Sequence, residues 1–280
     1  MEKQMSSIKQ ILVALDGSQS SISALESGVK LAVRLNAELV GLFVEDINLL
    51  RATQLPFTQE ISMFSSGYRR LEALELERQL RVQADRVRRI MERITHAKNL
   101  SARFQVVRGS VAEEILIASK DADLLMLGKT GRSLPGFGRF GSTVRSVVVR
   151  RPGMTLVWHL DGAAIRPVVL AYDGSESAGK GLLVAFSLQE SQDSGLIVYL
   201  VAESQEKGHE LRLEVSNKLK ELGGCATFRT LVRPDFANLT WMLRSENAGP
   251  IVLPCNQKRV SGEHLCSLLE EITNPVLLVK

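Results

Sequence analysis

The chain matches itself. Shifted by 157 residues, Ile11 to Val44 falls on Val168 to Val201 without a gap, and Asp16-Gly17-Ser18 lands on Asp173-Gly174-Ser175. Ala14, Ser20, Leu25, Leu31, Leu39 and Val44 recur as Ala171, Ser177, Leu182, Leu188, Leu196 and Val201. Further on, Ala226-Thr227-Phe228 echoes Ala102-Arg103-Phe104, and the run from Pro250 to Leu253 echoes Leu124 to Leu127. Pro275 to Val279 closes this half as Met154 to Trp158 closes the first. Such a repeat implies two copies of one domain, and 280 residues suffice for two ordinary cores. The expected domains are 1–160 and 165–280, joined near 160–166.

Each copy alternates strand and helix. Ile11 to Leu15 is a continuous apolar run, as in a parallel strand buried on both faces. Ser18 or Ser20 can cap the helix that follows, whose stripe Ile22, Leu25, Val29, Ala32 has the helical period. With the strand Leu39 to Val44 this makes a right-handed βαβ unit. Residues 46–68 show no period and read as an irregular insertion or lid, with no counterpart in the second copy. A long helix over 70–96 carries an apolar stripe of Leu76, Leu80, Ala84, Val87, Met91 and Ile94. Ala102 to Val107 is the next strand. Ser110-x-x-Glu113 offers a capping box for a helix that turns Ile115, Leu116 and Ala118 inward. Leu124 to Leu127 and Thr155 to Trp158 complete five strands. The fold class is α/β, with two tandem doubly wound five-stranded parallel sheets of Rossmann-like type.

The strand Leu124 to Leu127 ends at Gly128 and runs into a loop with glycines at 131 and 141 and the segment Gly136-Phe137-Gly138 between them. Val144, Val147 and Val148 then recur at helical spacing, so a helix opens near Gly141 or Ser142. Glycine lets backbone approach a ligand closely. Successive loop N–H groups and the unpaired first N–H groups of a helix together favour an anion, above all a phosphate. Lys129, Arg132, Arg139 and Arg145 add positive charge that is expected to be mobile. Gly128-Lys129-Thr130 looks like the tail of a P-loop, but the first glycine that motif needs is replaced by Asp123. Gly136, Gly138 and Gly141 do have G-x-G-x-x-G spacing, but the first of them lies eight residues past Gly128, whereas the Rossmann fingerprint follows its strand directly. The spacing is G-x2-G-x9-G-[ST], at Gly128, Gly131, Gly141 and Ser142.

That pattern resembles the ATP-binding subgroup of the universal stress protein family, and Val13-Ala-Leu-Asp-Gly-Ser18 is similar to that family's first strand. The likeness covers nearly the whole chain, as a tandem pair. It implies a nucleotide-responsive stress or regulatory protein that binds ATP in its first domain. By the resemblance, Asp16 and the backbone near Val44 hold the adenosine, and Leu127 and Gly128 line the ribose side. Gly131, Gly141, Ser142 and Thr143 would cradle the phosphates, with Mg²⁺ as an optional companion. By their own chemistry, Val44 is a strand-end core residue and Asp16 part of an Asp-Gly turn. Asp16 also sits at the carboxyl end of a strand, where open parallel sheets bind ligands.

Two other classes stay open. One is an ATPase or nucleotide-transfer enzyme of the related adenine nucleotide α-hydrolase-like folds. Relatives there with pyrophosphatase activity carry Ser-Gly-Gly-x-Asp-Ser after the first strand, where this chain has Asp16-Gly-Ser-Gln-Ser20. No histidine lies near the loop and no carboxylate pair is evident for acid–base work, so no catalytic residue is assigned and any ATPase activity is expected to be weak. The other is an interaction protein that needs no nucleotide, against which the retained glycines count.

The second copy has Pro254 and Gln257 in place of Gly128 and Gly131. Its connection to Gly262 is five residues shorter, and Glu263 stands where the first copy has Ser142. A carboxylate there would itself occupy the helix N-terminus and repel phosphate, so this copy reads as structural or regulatory. Residues 1–164 hold 23 basic and 17 acidic residues, and 165–280 hold 12 and 14, which together give the chain's +4. A basic chain can bind nucleic acid. No nucleic-acid motif is present, though, and acidic Glu75, Glu77, Asp85 and Glu92 interrupt the arginines of the long helix, so a solvated face is expected. No run approaches the roughly 18 apolar residues of a membrane span, and the polar Met1 to Gln10 does not read as a secretory signal. Three cysteines, Cys225, Cys255 and Cys266, suit a reducing cytoplasm. Cys255, His264 and Cys266 match no common zinc spacing. The two end strands are expected at sheet edges, where they invite pairing of the halves as a pseudo-dimer, with a larger homodimer as an open alternative.

Overall fold

The computed structural model describes residues 8–53, 59–61, 68–70, 73–131, 140–159, 167–189, 195–245, 249–255 and 262–280. The first half comprises β1 (Gln10–Leu15), α1 (Gln19–Leu35), β2 (Glu38–Asp46), α2 (Ile47–Ala52), β3 (Gln59–Ile61), β4 (Tyr68–Arg70), α3 (Ala73–His96), β5 (Ala102–Gly109), α4 (Val111–Ala118), β6 (Leu124–Gly128), α5 (Ser142–Arg150) and β7 (Met154–Trp158). The second comprises β8 (Val168–Tyr172), α6 (Glu176–Leu188), β9 (Leu196–Ala202), α7 (Gln205–Glu221), β10 (Thr227–Val232), α8 (Phe236–Ser245), β11 (Ile251–Pro254), α9 (Gly262–Glu271) and β12 (Val276–Val279).

Ten strands form one sheet in the order β10-β9-β8-β11-β12-β7-β6-β1-β2-β5. In this sheet, the pairings within each half are all parallel. The halves meet where β12 runs antiparallel to β7, with Leu277 opposite Leu156 and Leu278 opposite Thr155. The end strands therefore lie at the centre of the sheet, and β5 and β10 are its edges. Helices cover both faces. Ile11, Val13, Met126, Leu156, Leu170 and Leu277 share the core on one face, and Leu12, Leu125, Val148, Leu253 and Leu268 the core on the other. Both cores run through both halves.

Local sequence explains most boundaries. Ser18 caps α1 by accepting from Ser21 N–H at 3.1 Å, and Asn36 ends it in the left-handed region. On α3, Leu76, Leu80, Ala84, Val87 and Met91 are buried as the period requires. Asp123 is exposed, but its Oδ2 accepts from Lys9 and Gln10 N–H at 2.8 and 3.0 Å and so registers the start of β6 against β1.

Two expectations are corrected. Residues 46–68 are not wholly irregular: Asp46 caps the short helix α2 through Asn48 N–H, and β3 pairs antiparallel with β4. Short elements show no readable period, so they escape a pattern search. Ser110 does precede α4, but its side chain makes no cap hydrogen bond. Glu113 pairs instead with Arg150 at the end of α5, so the capping box does not form.

Candidate functional site

β1 is the point where strand order reverses: the chain goes outward from it through β2 and β5, then returns to β6 on its other side. The strand ends part there and leave a crevice. A cavity of about 460 Å³ fills it. Asp16, Val44, Leu127, Gly128, Gly131, Gly141, Ser142 and Thr143 all line this cavity, brought together from β1, β2, β6, the loop and α5.

The glycines do different things. A Cβ on Gly128 would lie 2.7 Å from the Ser20 carbonyl carbon and 2.8 Å from the Ser21 nitrogen, so close packing on α1 demands glycine whatever the ligand. Among the described residues, a Cβ on Gly131 would meet only the Asp16 carboxylate, at 3.5 Å, and one on Gly141 nothing closer than 3.6 Å. Packing against the described residues does not require glycine at either place. Gly141 is the N-cap of α5 and has no side chain to accept the first-turn N–H groups, so these donors face the cavity end where Ser142 and Thr143 lie.

Asp16 accepts from Ser18 N–H at 2.9 Å through Oδ1. Asp173 makes the same turn with Ser175 at 3.0 Å, so turn formation alone accounts for that oxygen. Its backbone carbonyl accepts from the Gln83 side chain on α3.

Sequence reasoning missed several lining residues. Asp46 and Leu49 belong to the insertion, and Leu80 and Gln83 come from α3. Gln83 did carry a signal: it is a polar residue at a stripe position, between Leu80 and Val87. Apolar walls come from Leu42, Phe43, Val111 and Ile115.

The expected mobile charge is corrected. Lys129 is 6% exposed. Its Nζ donates to the carbonyls of Ile272 at 2.6 Å and Glu270 at 3.3 Å, at the carboxyl end of α9 in the second half. Burial lowers its pKa, and Glu270 partly offsets this. Arg145 pairs with the Glu270 carboxylate. Arg132, Arg139 and Gly136-Phe137-Gly138 lie outside the described residues.

In the second half the equivalent crevice is built differently. Tyr199 stands at the repeat position of Leu42; it is 1% exposed and its hydroxyl accepts from Arg229 at 2.8 Å. Tyr172 stands where the first half has Leu15, bonded to Glu214 at 2.8 Å, and burial pushes its phenol up to about 12. Cys255 and Cys266 are buried and unpaired, and burial raises the Cys255 thiol to about 11. Among the described residues, no His, Cys, Asp and Glu group could hold a metal ion, and no helix is long and apolar enough to cross a membrane.

Fold and crevice define a doubly wound α/β protein with its site at the topological switch point. The family model described as "Universal stress protein family" matches residues 7–159, more than half of the chain, and the chain belongs to that family. Universal stress proteins of Mycobacterium tuberculosis and Mycobacterium bovis are each 26% identical to it over 182 residues, 63% of this chain. The match spans 58% of the length of those relatives. A universal stress protein from Archaeoglobus fulgidus superposes with a TM-score of 0.70 at 18% identity, covering 97% of this chain and 98% of its own. A functionally unknown protein from Pseudomonas aeruginosa gives 0.59 at 13%, covering 99% and 94%. At such identities these two structures share the fold alone.

Proposed function

We propose that the first half binds one ATP in the crevice between β1 and β6, and that nucleotide occupancy is the signal this stress protein carries in the cytoplasm. One observation carries the reading. Eight residues picked by spacing and resemblance line a single cavity, whose far end holds an uncapped helix N-terminus and two glycines that packing against the described residues does not require. The cavity's volume lies within the range of about 300–1,000 Å³ typical of small-molecule sites. Asp16 and the β2 end near Val44 would hold adenosine, with Leu127 and Gly128 along the ribose. Gly131 and Gly141 would let the backbone approach the phosphates, and the N–H groups of Ser142 and Thr143 would meet them. Any Mg²⁺ would arrive with the nucleotide.

The second half supports a single site, since Tyr199, bonded to Arg229, stands at the repeat position of Leu42, and Glu263 sits in the first turn of α9. Calorimetric titration of the full chain should therefore give one ATP per chain. Two equivalent sites would overturn the assignment.

Turnover should be slow, well below the roughly 1 s⁻¹ low end of ordinary enzymes. The two carboxylates of the described lining, Asp16 and Asp46, each use Oδ1 as a turn or cap acceptor, at 2.9 Å from Ser18 N and Asn48 N. A steady-state rate of several per second, abolished by Asp16→Ala with binding retained, would make the protein an enzyme.

A further inference from the structure

Among the described residues, the loop at the end of β6 is tied to the second half through Lys129. Lys129 N–H donates to the Trp158 carbonyl at 2.8 Å, and its own carbonyl accepts from Gly141 N–H at 3.3 Å. Its backbone thus closes the loop between β7 and the start of α5. Its side chain leaves the crevice, crosses the seam and places a buried ammonium on two carbonyls at the carboxyl end of α9. A cation suits that place, where unpaired carbonyls and the helix dipole leave negative charge. The contact is reciprocated: Lys280 Nζ, just past β12, donates to the Val148 and Val149 carbonyls of α5 at 2.6 and 3.0 Å. The helix whose N-terminus faces the cavity therefore has its other end held by the second half, and Arg145 in its first turn pairs with Glu270.

We propose that Lys129 is a positioning residue through which the second half sets the geometry of the phosphate loop, so that ATP affinity and the contact between the halves are one linked equilibrium. This rests on the ATP reading above. Coupling of this kind is reciprocal: if α9 holds the loop ready for phosphate, bound phosphate holds α9.

The test uses the full chain, with Lys129→Met and Lys129→Arg, titrated with ATP and with adenosine. Lys129→Met should weaken ATP by about fivefold or more, the lower end of ordinary coupling. Adenosine, which does not reach the loop, should change less than about twofold, and Lys129→Arg, which keeps a donor cation, should recover most of the loss. In the wild-type chain, hydrogen exchange over residues 262–272 should slow at saturating ATP, a measurement that needs no variant to fold. Unchanged ATP affinity in Lys129→Met, equal losses for ATP and adenosine, or exchange in α9 indifferent to ATP would each overturn the proposal. A wild-type chain that binds no ATP would instead overturn the nucleotide reading. Exchange over residues 124–131 without nucleotide would then decide the clamp: faster in Lys129→Met and restored in Lys129→Arg supports it, and unchanged refutes it.

Discussion

A chain carrying Gly131→Asp should fold as its parent does and bind ATP at least about tenfold more weakly, a loss of roughly 1.4 kcal/mol. Among the described residues, a Cβ there meets only the Asp16 carboxylate, at 3.5 Å, so no described backbone stands in the way of the substitution. What the substitution changes is the surface offered to phosphate. It adds a carboxylate beside Asp16, and like charges at short range repel an incoming anion. Adenosine should be affected less than ATP. Calorimetric titration of both ligands, with a denaturant curve for stability, checks this; equal losses for the two would put the phosphates elsewhere. Gly128→Ala is the contrasting variant. Its Cβ would run into the backbone of Ser20 and Ser21. Backbone must shift to admit it, at a cost of about 1–3 kcal/mol of stability, with any loss of affinity a consequence of that. These outcomes would separate two glycines of one motif into a packing requirement and a ligand requirement.

The sequence made the fold legible because its strongest signals are local and repeated. Asp16-Gly-Ser and Asp173-Gly-Ser form the same turn in both halves, and continuous runs such as Ile11 to Leu15 suit a sheet covered on both faces. The crevice was legible for a related reason. Strand ends carry the glycines and Asp16, and parallel topology brings strand ends to one rim. What stayed hidden depends on tertiary direction. Lys129 reads as a loop cation next to glycine, and nothing within its own half shows that α9 of the other half lies within reach of its ammonium. Ser110 and Glu113 satisfy a capping pattern, yet Arg150 offers Glu113 a charged partner, and an ion pair can outcompete a neutral backbone donor. Asp46, Leu49 and Gln83 reach the cavity from α2 and α3, helices whose placement over the crevice no periodicity encodes.

Leu277→Ala should lower unfolding free energy by about 2–5 kcal/mol, the range for a leucine truncated in a packed core. Leu277 is 0% exposed and lies in β12 between two ladders, parallel to β11 opposite Val252 and antiparallel to β7 opposite Leu156. Strands fixed on both sides cannot close in on the space left behind, which puts the expected loss toward the upper part of that range. Leu213, 53% exposed on α7, is the control, and its alanine variant should fall within about 0.5 kcal/mol of the parent. The shape of the curve matters as much as its midpoint. Core residues of the two halves share one cluster on each face of the sheet, and Lys129 and Lys280 bind the helix ends across the seam. Damage at the seam should therefore move one cooperative transition bodily, with the denaturant slope unchanged. Halves that melt independently would behave otherwise: Leu277→Ala would lower a second-half transition and leave a first-half transition at its parental midpoint. Two such transitions would mean that β7 and β12 touch without sharing stability, and the link between ATP and the second half would then lack the packed core that transmits it.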